Sequence, residues 1–295
     1  MGEFHHDHDH HGTGNIKVAF FLNLAFTIVE IIGGLFTNSM AILSDALHDF
    51  GDSISLGMSW YFQKVSQKHK DKKYSYGYKR FSLVGALVNS IILFTGSIFI
   101  LSETIPRIYN PKTPDALGMI WLAILGVIIN GAAVFKLKKG KSINEKVVSL
   151  HLLEDVLGWV AVLIGAIVMY FYDVPIIDPL LSLGIACFIL FNVFKNLKSA
   201  FKIMMQGVPQ DTNQKKIKLF LERLEGVENI HDLHIWSMDG QYNVLTVHIV
   251  TKENLKTEDL SPLKQKIHET LKIYGVNHAT LEFETKNEKC FLEDC

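Results

Sequence analysis

The sequence predicts an all-α bundle of six membrane-spanning helices followed by a cytoplasmic α+β domain, and three observations predict it. A mean hydropathy of +0.21 with 20% charged residues over 295 residues does not describe one uniform soluble body. Residues 16–200 carry apolar runs of about 20 residues, the length that crosses roughly 30 Å of hydrocarbon as a helix. Residues 207–295 instead mix charges with short periodic segments, as a soluble domain does.

The apolar runs fall at about 16–36, 41–63, 81–104, 115–137, 147–171 and 176–196. The first has no small-residue cleavage site and does not read as a signal peptide. The linkers Thr37–Met40 and Asp173–Pro175 are so tight that each joins an antiparallel helix pair. The chain thus divides into a His-rich tail at 1–15, a helical membrane domain at 16–206 and a soluble domain at 207–295. Orientation follows from Lys and Arg in short loops, which collect on the cytoplasmic side. Seven lie between Lys64 and Arg80 and five between Lys136 and Lys146, against only Arg107 and Lys112 across the other loops. Both termini are expected in the cytoplasm. The short loops and the lack of a targeting segment favour a bacterial plasma membrane.

Composition also excludes. With 29 basic and 30 acidic residues the net charge is −1, and no basic face calls for a nucleic acid. Three cysteines, one of them Cys187 inside an apolar run, do not make a secreted disulfide scaffold.

In the soluble part, Lys215–Leu224 and Leu260–Tyr274 read as helices. Val227–Ser237 and Tyr242–Thr251 alternate like strands around Met238-Asp239-Gly240-Gln241, where Asp-Gly signals a hairpin. Ala279–Glu284 reads as a third strand. An αββαβ order with antiparallel strands gives a two-layer domain.

The chemistry lies within two apolar runs. The second contains Ser44-Asp45-Ala46-Leu47-His48-Asp49-Phe50-Gly51-Asp52, and the fifth contains His151-Leu152-Leu153-Glu154-Asp155. An ionisable residue at the bilayer centre costs roughly 2.5–3.5 kcal/mol on insertion scales, so these groups must face the interior and find partners. His48/Asp52 and His151/Asp155 are both i,i+4 pairs, each projecting from one helical face. Pressed together, the two faces offer two imidazole nitrogens and two carboxylate oxygens, a set that suits tetrahedral Zn²⁺. Asp45 and Asp49 form a competing i,i+4 pair whose extra oxygens would suit Mn²⁺ or Fe²⁺. Asp45, one turn before His48/Asp52, is the accessory carboxylate if the matched pairs bind the ion. Glu154 is rotated about 100° from Asp155 and reads as a packing residue. A membrane-embedded zinc hydrolase is disfavoured, because no H-E-x-x-H occurs and four protein ligands leave no open position.

On these residues the chain resembles the cation diffusion facilitator family, of the zinc-exporter type. Ser44-Asp45-x-x-His48-x-x-x-Asp52, His151-x-x-x-Asp155 and Tyr74-Ser75-Tyr76-Gly77-Tyr78-Lys79-Arg80-Phe81 carry the resemblance. So do Asn23 and Glu30 in the first run, Gly207-Val208-Pro209, and His231-Asp232-Leu233-His234-Ile235-Trp236-Ser237. The likeness extends from Asn15 to Glu284. It implies a homodimer in the lipid bilayer with six spans per protomer and a ferredoxin-like, metallochaperone-like cytoplasmic domain. It implies exchange of Zn²⁺ for H⁺ by alternating access, through His48, Asp52, His151 and Asp155. Cd²⁺, Co²⁺ or Ni²⁺ export, and a non-transporting zinc-sensing subunit, remain the alternatives. Some relatives carry a further loop site of one Asp and two His; here tyrosines follow Asp71 where those His would stand, and His69 reads as a solvated loop residue.

The resemblance also matches His231, His248, His278 and Glu284 to a regulatory zinc site. On regular strand alternation His231 shares a face with Leu233 and Ile235, while His234 and Trp236 take the other as packing residues. His268 reads as an exposed helix residue. Cys290 and Cys295, in a reducing cytoplasm, read as zinc ligands more readily than as a disulfide. The start, with His5, His6, His8, His10 and His11 interleaved with Asp7 and Asp9, reads as a metal-gathering segment dispensable for transport.

Overall fold

The structure, a computed structural model, describes residues 10–138, 143–252, 257–286 and 288. Six long helices come first: α1 (His10–Thr37), α2 (Met40–Ser66), α3 (Phe81–Tyr109), α4 (Ala116–Lys138), α5 (Ile143–Tyr172) and α6 (Ile177–Met204). They fall on the six apolar runs, but α1 already begins at His10, inside the expected tail, and α3 and α6 continue past the expected ends to Tyr109 and Met204. Phe81–Tyr109, Ala116–Phe135, Leu152–Tyr172 and Ile177–Met204 are each long and apolar enough to cross a membrane, and Leu24–Thr37 is a shorter apolar stretch. What keeps α2 out of that set is its own chemistry: Asp45, Asp49 and Asp52 stand within three turns of one another. The described residues fall into two compact units. One joins the chain up to Trp60 with Ala86–Asn196, and the other joins Tyr61–Gly85 with the residues from Leu197 onward.

In the first unit small residues and one large ring set the helix spacing. Trp159 of α5 is fully buried, and a β-carbon on Gly126 of α4 would collide with its indole. Phe26 of α1 meets the same ring at 5.7 Å between centroids, and Met119, Ala123, Val162 and Ala166 complete this core. The outer faces are apolar instead of polar. Trp121, Phe135, Leu157, Ile164, Phe188 and Phe191 are exposed, as residues that face lipid must be. Tyr109, Tyr170 and Tyr172 project near helix ends, where amphipathic rings anchor at a membrane surface.

The α1–α2 turn is locked by a residue far away in sequence. Asn38, in the left-handed region that Asn tolerates (φ 52°), ends α1. The Asp178 carboxylate of α6 then accepts from Ser39 Oγ (2.5 Å), Met40 N (2.8 Å) and Ala41 N (3.2 Å), capping α2 from outside its own chain segment. One turn further on, Ser182 Oγ bonds Ser44 Oγ of α2 (2.7 Å) and Thr104 Oγ1 of α3 (2.9 Å), tying three helices by hydroxyls.

The second unit contains α7 (Gln214–Glu222), β1 (Val227–Ser237), β2 (Asn243–Thr251), α8 (Thr257–Ile273) and β3 (Val276–Thr285). Asn213 caps α7 by accepting from Lys216 N. Gly240 at φ 94° and Asp239, whose carboxylate accepts from the amides of Gln241 and Tyr242, make the expected turn. The sheet order is β1-β2-β3. Here the expectation of an all-antiparallel sheet fails: β1 and β2 are antiparallel, but β2 and β3 are parallel. The physical reason is α8, a crossover that carries the chain back to the starting end of β2 before β3 begins. Ile217 and Leu221 of α7 and Leu263, Ile267 and Leu271 of α8 cover one face of the sheet, on Ile230, Ile235, Leu245, Val247 and Ile249.

Candidate metal centres

In the first unit the site grows from α2. One turn separates His48 from Asp52, and His48 Nε2 lies 3.6 Å from Asp52 Oδ2. On α5, Asp155 is buried and Glu154 beside it is exposed: helical rotation sorts the two adjacent acids, and Glu154 is turned outward instead of packing between helices. His151 stands one turn before Asp155 on the same helix; its side chain lies outside the described residues. Gly158, the next turn after Asp155, brings α5 close to α2: a β-carbon there would stand 3.7 Å from Asp45 Oδ1. Asp45 lies in the electrostatic range of both Asp155 and Asp52. The Asp45 carboxylate therefore faces α5 from α2, at the meeting of the two helices that bear the paired motifs.

A further acid joins them from α1. Glu30 is fully buried and neither carboxyl oxygen has a hydrogen-bond partner among the described residues. It lies beside the Asp49 carboxyl and the Trp159 indole, within the fields of Asp45 and Asp155. Asp49 itself is 1% exposed. Buried carboxyls from three helices thus converge, while Leu24–Thr37, Met40–Gln63 and Leu152–Tyr172 contain no Lys or Arg to neutralise them. Only protons or a cation from solution can balance such a group. Sequence reasoning placed Glu30 only by resemblance, and read Asp49 only as half of a competing pair.

A second cluster sits on the face of the sheet away from the apolar core. His231, His248 and Glu284 each offer a ligand atom within 4.8 Å of the others. His248 Nδ1 lies 2.6 Å from Glu284 Oε1, and His231 Nε2 lies 3.3 Å from Glu284 Oε2. Asp232 Oδ2 and Glu282 Oε2 approach His248 Nε2 at 3.5 and 3.4 Å. His248 and Glu284 are buried, and two imidazoles with a carboxylate are the donor types that zinc selects.

Three expectations about this domain are corrected. His231 does not share a face with Leu233 and Ile235. Pairing runs from His231 opposite His248 directly to His234 opposite Thr246, and Asp232 adopts φ 48°, a bulge that shifts the alternation. As a result Ile230, Leu233 and Ile235 serve the core, while His231 and His234 both stand on the other side. His234 is no packing residue either: it is exposed and lies 2.6 Å from Asp232 Oδ1. Finally, His278 is not part of the cluster. It pairs opposite Val244 at the far end of β3, and its ring meets Tyr76 edge-on at 5.6 Å.

Among the remaining expected residues, His268 is exposed on α8 and Trp236 is half-buried. His5, His6, His8, Cys290 and Cys295 lie outside the described residues; His10 and His11 open α1, with side chains outside them. In the loop after α2, His69 is exposed. Asp71 closes that loop by accepting from Tyr78 Oη (2.7 Å) and from the amides of Lys73 (2.8 Å) and Tyr74 (2.9 Å). The Tyr78 hydroxyl, then the two amides, hold the Asp71 carboxyl below the usual carboxylate range. Its oxygens are committed to the loop.

Comparison with known proteins identifies both parts of the chain. Residues 16–205 match the family model of the cation efflux transmembrane domain, and residues 209–285 that of the cation efflux protein cytoplasmic domain. The chain is 33% identical to the cadmium, cobalt and zinc/H(+)-K(+) antiporter of Bacillus subtilis, over 95% of this chain and 92% of that one. It is 34% identical to the metal cation efflux system protein CzcD of Cupriavidus metallidurans, over 95% and 89%. With the zinc transporter ZitB of Escherichia coli it shares 28% over 94% and 88%. Apolar helices, buried acids and two matched domains lead to one conclusion: the chain is an integral membrane protein of the cation efflux family.

Proposed function

We propose that this protein exports Zn²⁺ from the cytoplasm in exchange for H⁺ by alternating access, as a homodimer with all of α1–α6 spanning the membrane and both termini inside. The observation that carries the reading is the convergence of Glu30, Asp45, Asp49 and Asp155 without a basic residue on their spans. The ion is held by His48, Asp52, His151 and Asp155, with Asp45 as accessory oxygen. Two nitrogens and two oxygens match the tetrahedral preference of Zn²⁺ and tolerate Cd²⁺ and Co²⁺, the ions in the name of the Bacillus relative. Open to near-neutral cytoplasm, the site loads metal. Open to the other side, it takes protons, and imidazole, with an unperturbed pKa of about 6.5, competes for them with the same lone pairs that bind the ion. The competition itself is the coupling. The chain then transports and makes or breaks no covalent bond of its cargo.

The domain boundaries proposed are 1–15, 16–206 and 207–295, the last a ferredoxin-like domain in which His231, His248 and Glu284 bind regulatory zinc. The ligand types and the buried Nε2 of His231, which faces the Glu284 carboxylate at 3.3 Å, support this assignment. The test is metal flux into proteoliposomes under an imposed pH gradient, with Zn²⁺, Cd²⁺, Co²⁺ and Mn²⁺ compared. Wild type should move Zn²⁺ into the lumen and alkalinise it in step, as H⁺ leaves in exchange, and His151→Ala should lose at least nine-tenths of the rate. Full-rate transport by His151→Ala would refute the site, and zinc flux without proton movement would refute the exchange.

A further inference from the structure

In the second unit, the segment leaving α2 approaches the β2–β3 end of the sheet and encloses a cleft of about 650 Å³. Lys68, His69, Lys70, Lys79, Tyr242 and His278 line it, with no Asp or Glu among its lining residues. The volume falls within the range of about 300–1,000 Å³ common to small-molecule sites. Gly77 makes the closure possible: at φ 76° it brings its backbone so near that a β-carbon would stand 3.1 Å from the Lys68 carbonyl oxygen.

Lys68 acts on the nearby Asp71 carboxyl, but that carboxyl accepts from Tyr78 Oη and from the amides of Lys73 and Tyr74, and no lysine of the cleft is held in a close ion pair among the described residues. Two of them rest on aromatic faces instead. Lys79 Nζ lies 4.3 Å from the Tyr242 ring centre and Lys68 Nζ 5.8 Å from that of Tyr78. Such contacts are worth about 0.5–1 kcal/mol at exposed sites and leave the charge available. Three ammonium groups around one concavity focus a positive field, and the imidazoles and hydroxyls beside them supply directed hydrogen bonds. We infer that this cleft binds a phosphate-bearing anion. Two sources share that chemistry, a free phosphate and an anionic lipid headgroup. Lys79 stands two residues before the start of α3, an apolar helix of membrane-crossing length, which brings headgroups within reach of the same lysines.

The experiment is calorimetric titration of the delipidated full chain with inorganic phosphate in one arm and dihexanoyl phosphatidylglycerol in the other, with neutral dihexanoyl phosphatidylcholine as the reference. Wild type, Lys68→Gln/Lys79→Gln, and the exposed control pair Lys215→Gln/Lys216→Gln are compared. The expected result is saturable binding in at least one anionic arm, weakened tenfold or more by the cleft pair and unchanged by the control pair. Binding confined to phosphatidylglycerol assigns the headgroup, and binding of phosphate assigns the free anion. Should the cleft pair aggregate, Lys70→Gln alone, at an exposed lysine of the cleft, should weaken binding about threefold. Absence of binding in both anionic arms, equal binding of phosphatidylcholine, or equal losses in the cleft and control pairs would overturn the inference.

Discussion

Gly158 stands one turn beyond Asp155 on α5, and the carboxylate of Asp45 borders the space its missing side chain leaves. At 3.7 Å an added methyl would make an ordinary van der Waals contact, whereas a branched chain would have to displace the carboxylate. Gly158→Ala should therefore keep zinc flux within about twofold, a change of about 0.4 kcal/mol in barrier, and Gly158→Leu should cut it tenfold or more. Flux in proteoliposomes measures both, with elution volume checking that the variants are folded; equal rates for Leu and Ala would separate Asp45 from transport. His48, Asp52 and Asp155 were legible in the sequence because polar groups four apart in an apolar run have few other uses. Glu30 was not, since its meeting with Asp49 and Asp155 depends on how α1 packs against its neighbours, which no single-helix period encodes. That His278 and Glu284 of the same chain cannot share an ion was legible from the start. His278 precedes Glu284 by six residues on one strand, about 20 Å at 3.3 Å per residue, too far for both to hold one ion.

The element scale shows the same division. All six long helices follow from apolar run length, and the hairpins follow from the shortness of their turns, but what fixes the α1–α2 turn is Asp178, 137 or more residues away. A carboxylate near the start of an apolar helix is visible in the sequence, while its partner amides are not. The parallel β2–β3 pair was misread for a similar reason: alternation reports which face a residue takes and is silent on strand direction, though a 17-residue helix between the two strands is the signature of a crossover. Asp178→Ala should leave the Ser39 hydroxyl and the amides of Met40 and Ala41 without their acceptor in a buried turn. Losing such a buried cap costs about 1–3 kcal/mol, more than an exposed one. The expected outcome is a lower melting temperature of the detergent-solubilised protein, with Asp178→Asn, which keeps one acceptor oxygen, falling between the variant and wild type. Melting of Asp178→Ala at the wild-type temperature would show that the turn holds without the carboxylate.

For the whole molecule, the two proposed metal centres make different demands on an ion and should be separable by counting. The membrane centre is a crowd of acids that any state of the protein must neutralise, and the sheet centre is a compact set of His231, His248 and Glu284 with Asp232 and Glu282 at its edge. A ligand that binds only the folded state stabilises by about 2.7 kcal/mol at a hundred times its dissociation constant. Each centre should then contribute its own zinc to the bound stoichiometry and its own increment to thermal stability. Equilibrium dialysis of the full chain against buffered Zn²⁺ should show His248→Ala losing at least one zinc per protomer while His48 and His151 remain to bind at the other centre. His278→Ala should keep the wild-type count, because its ring lies against Tyr76 and not among the ligands. Combining His248→Ala with Asp155→Ala should add the losses of the two single variants, as expected of distant sites that share no partner. A His278→Ala variant that loses as much zinc as His248→Ala would instead join that histidine to the sheet centre across a subunit boundary, the one geometry in which six residues of strand do not separate the ligands.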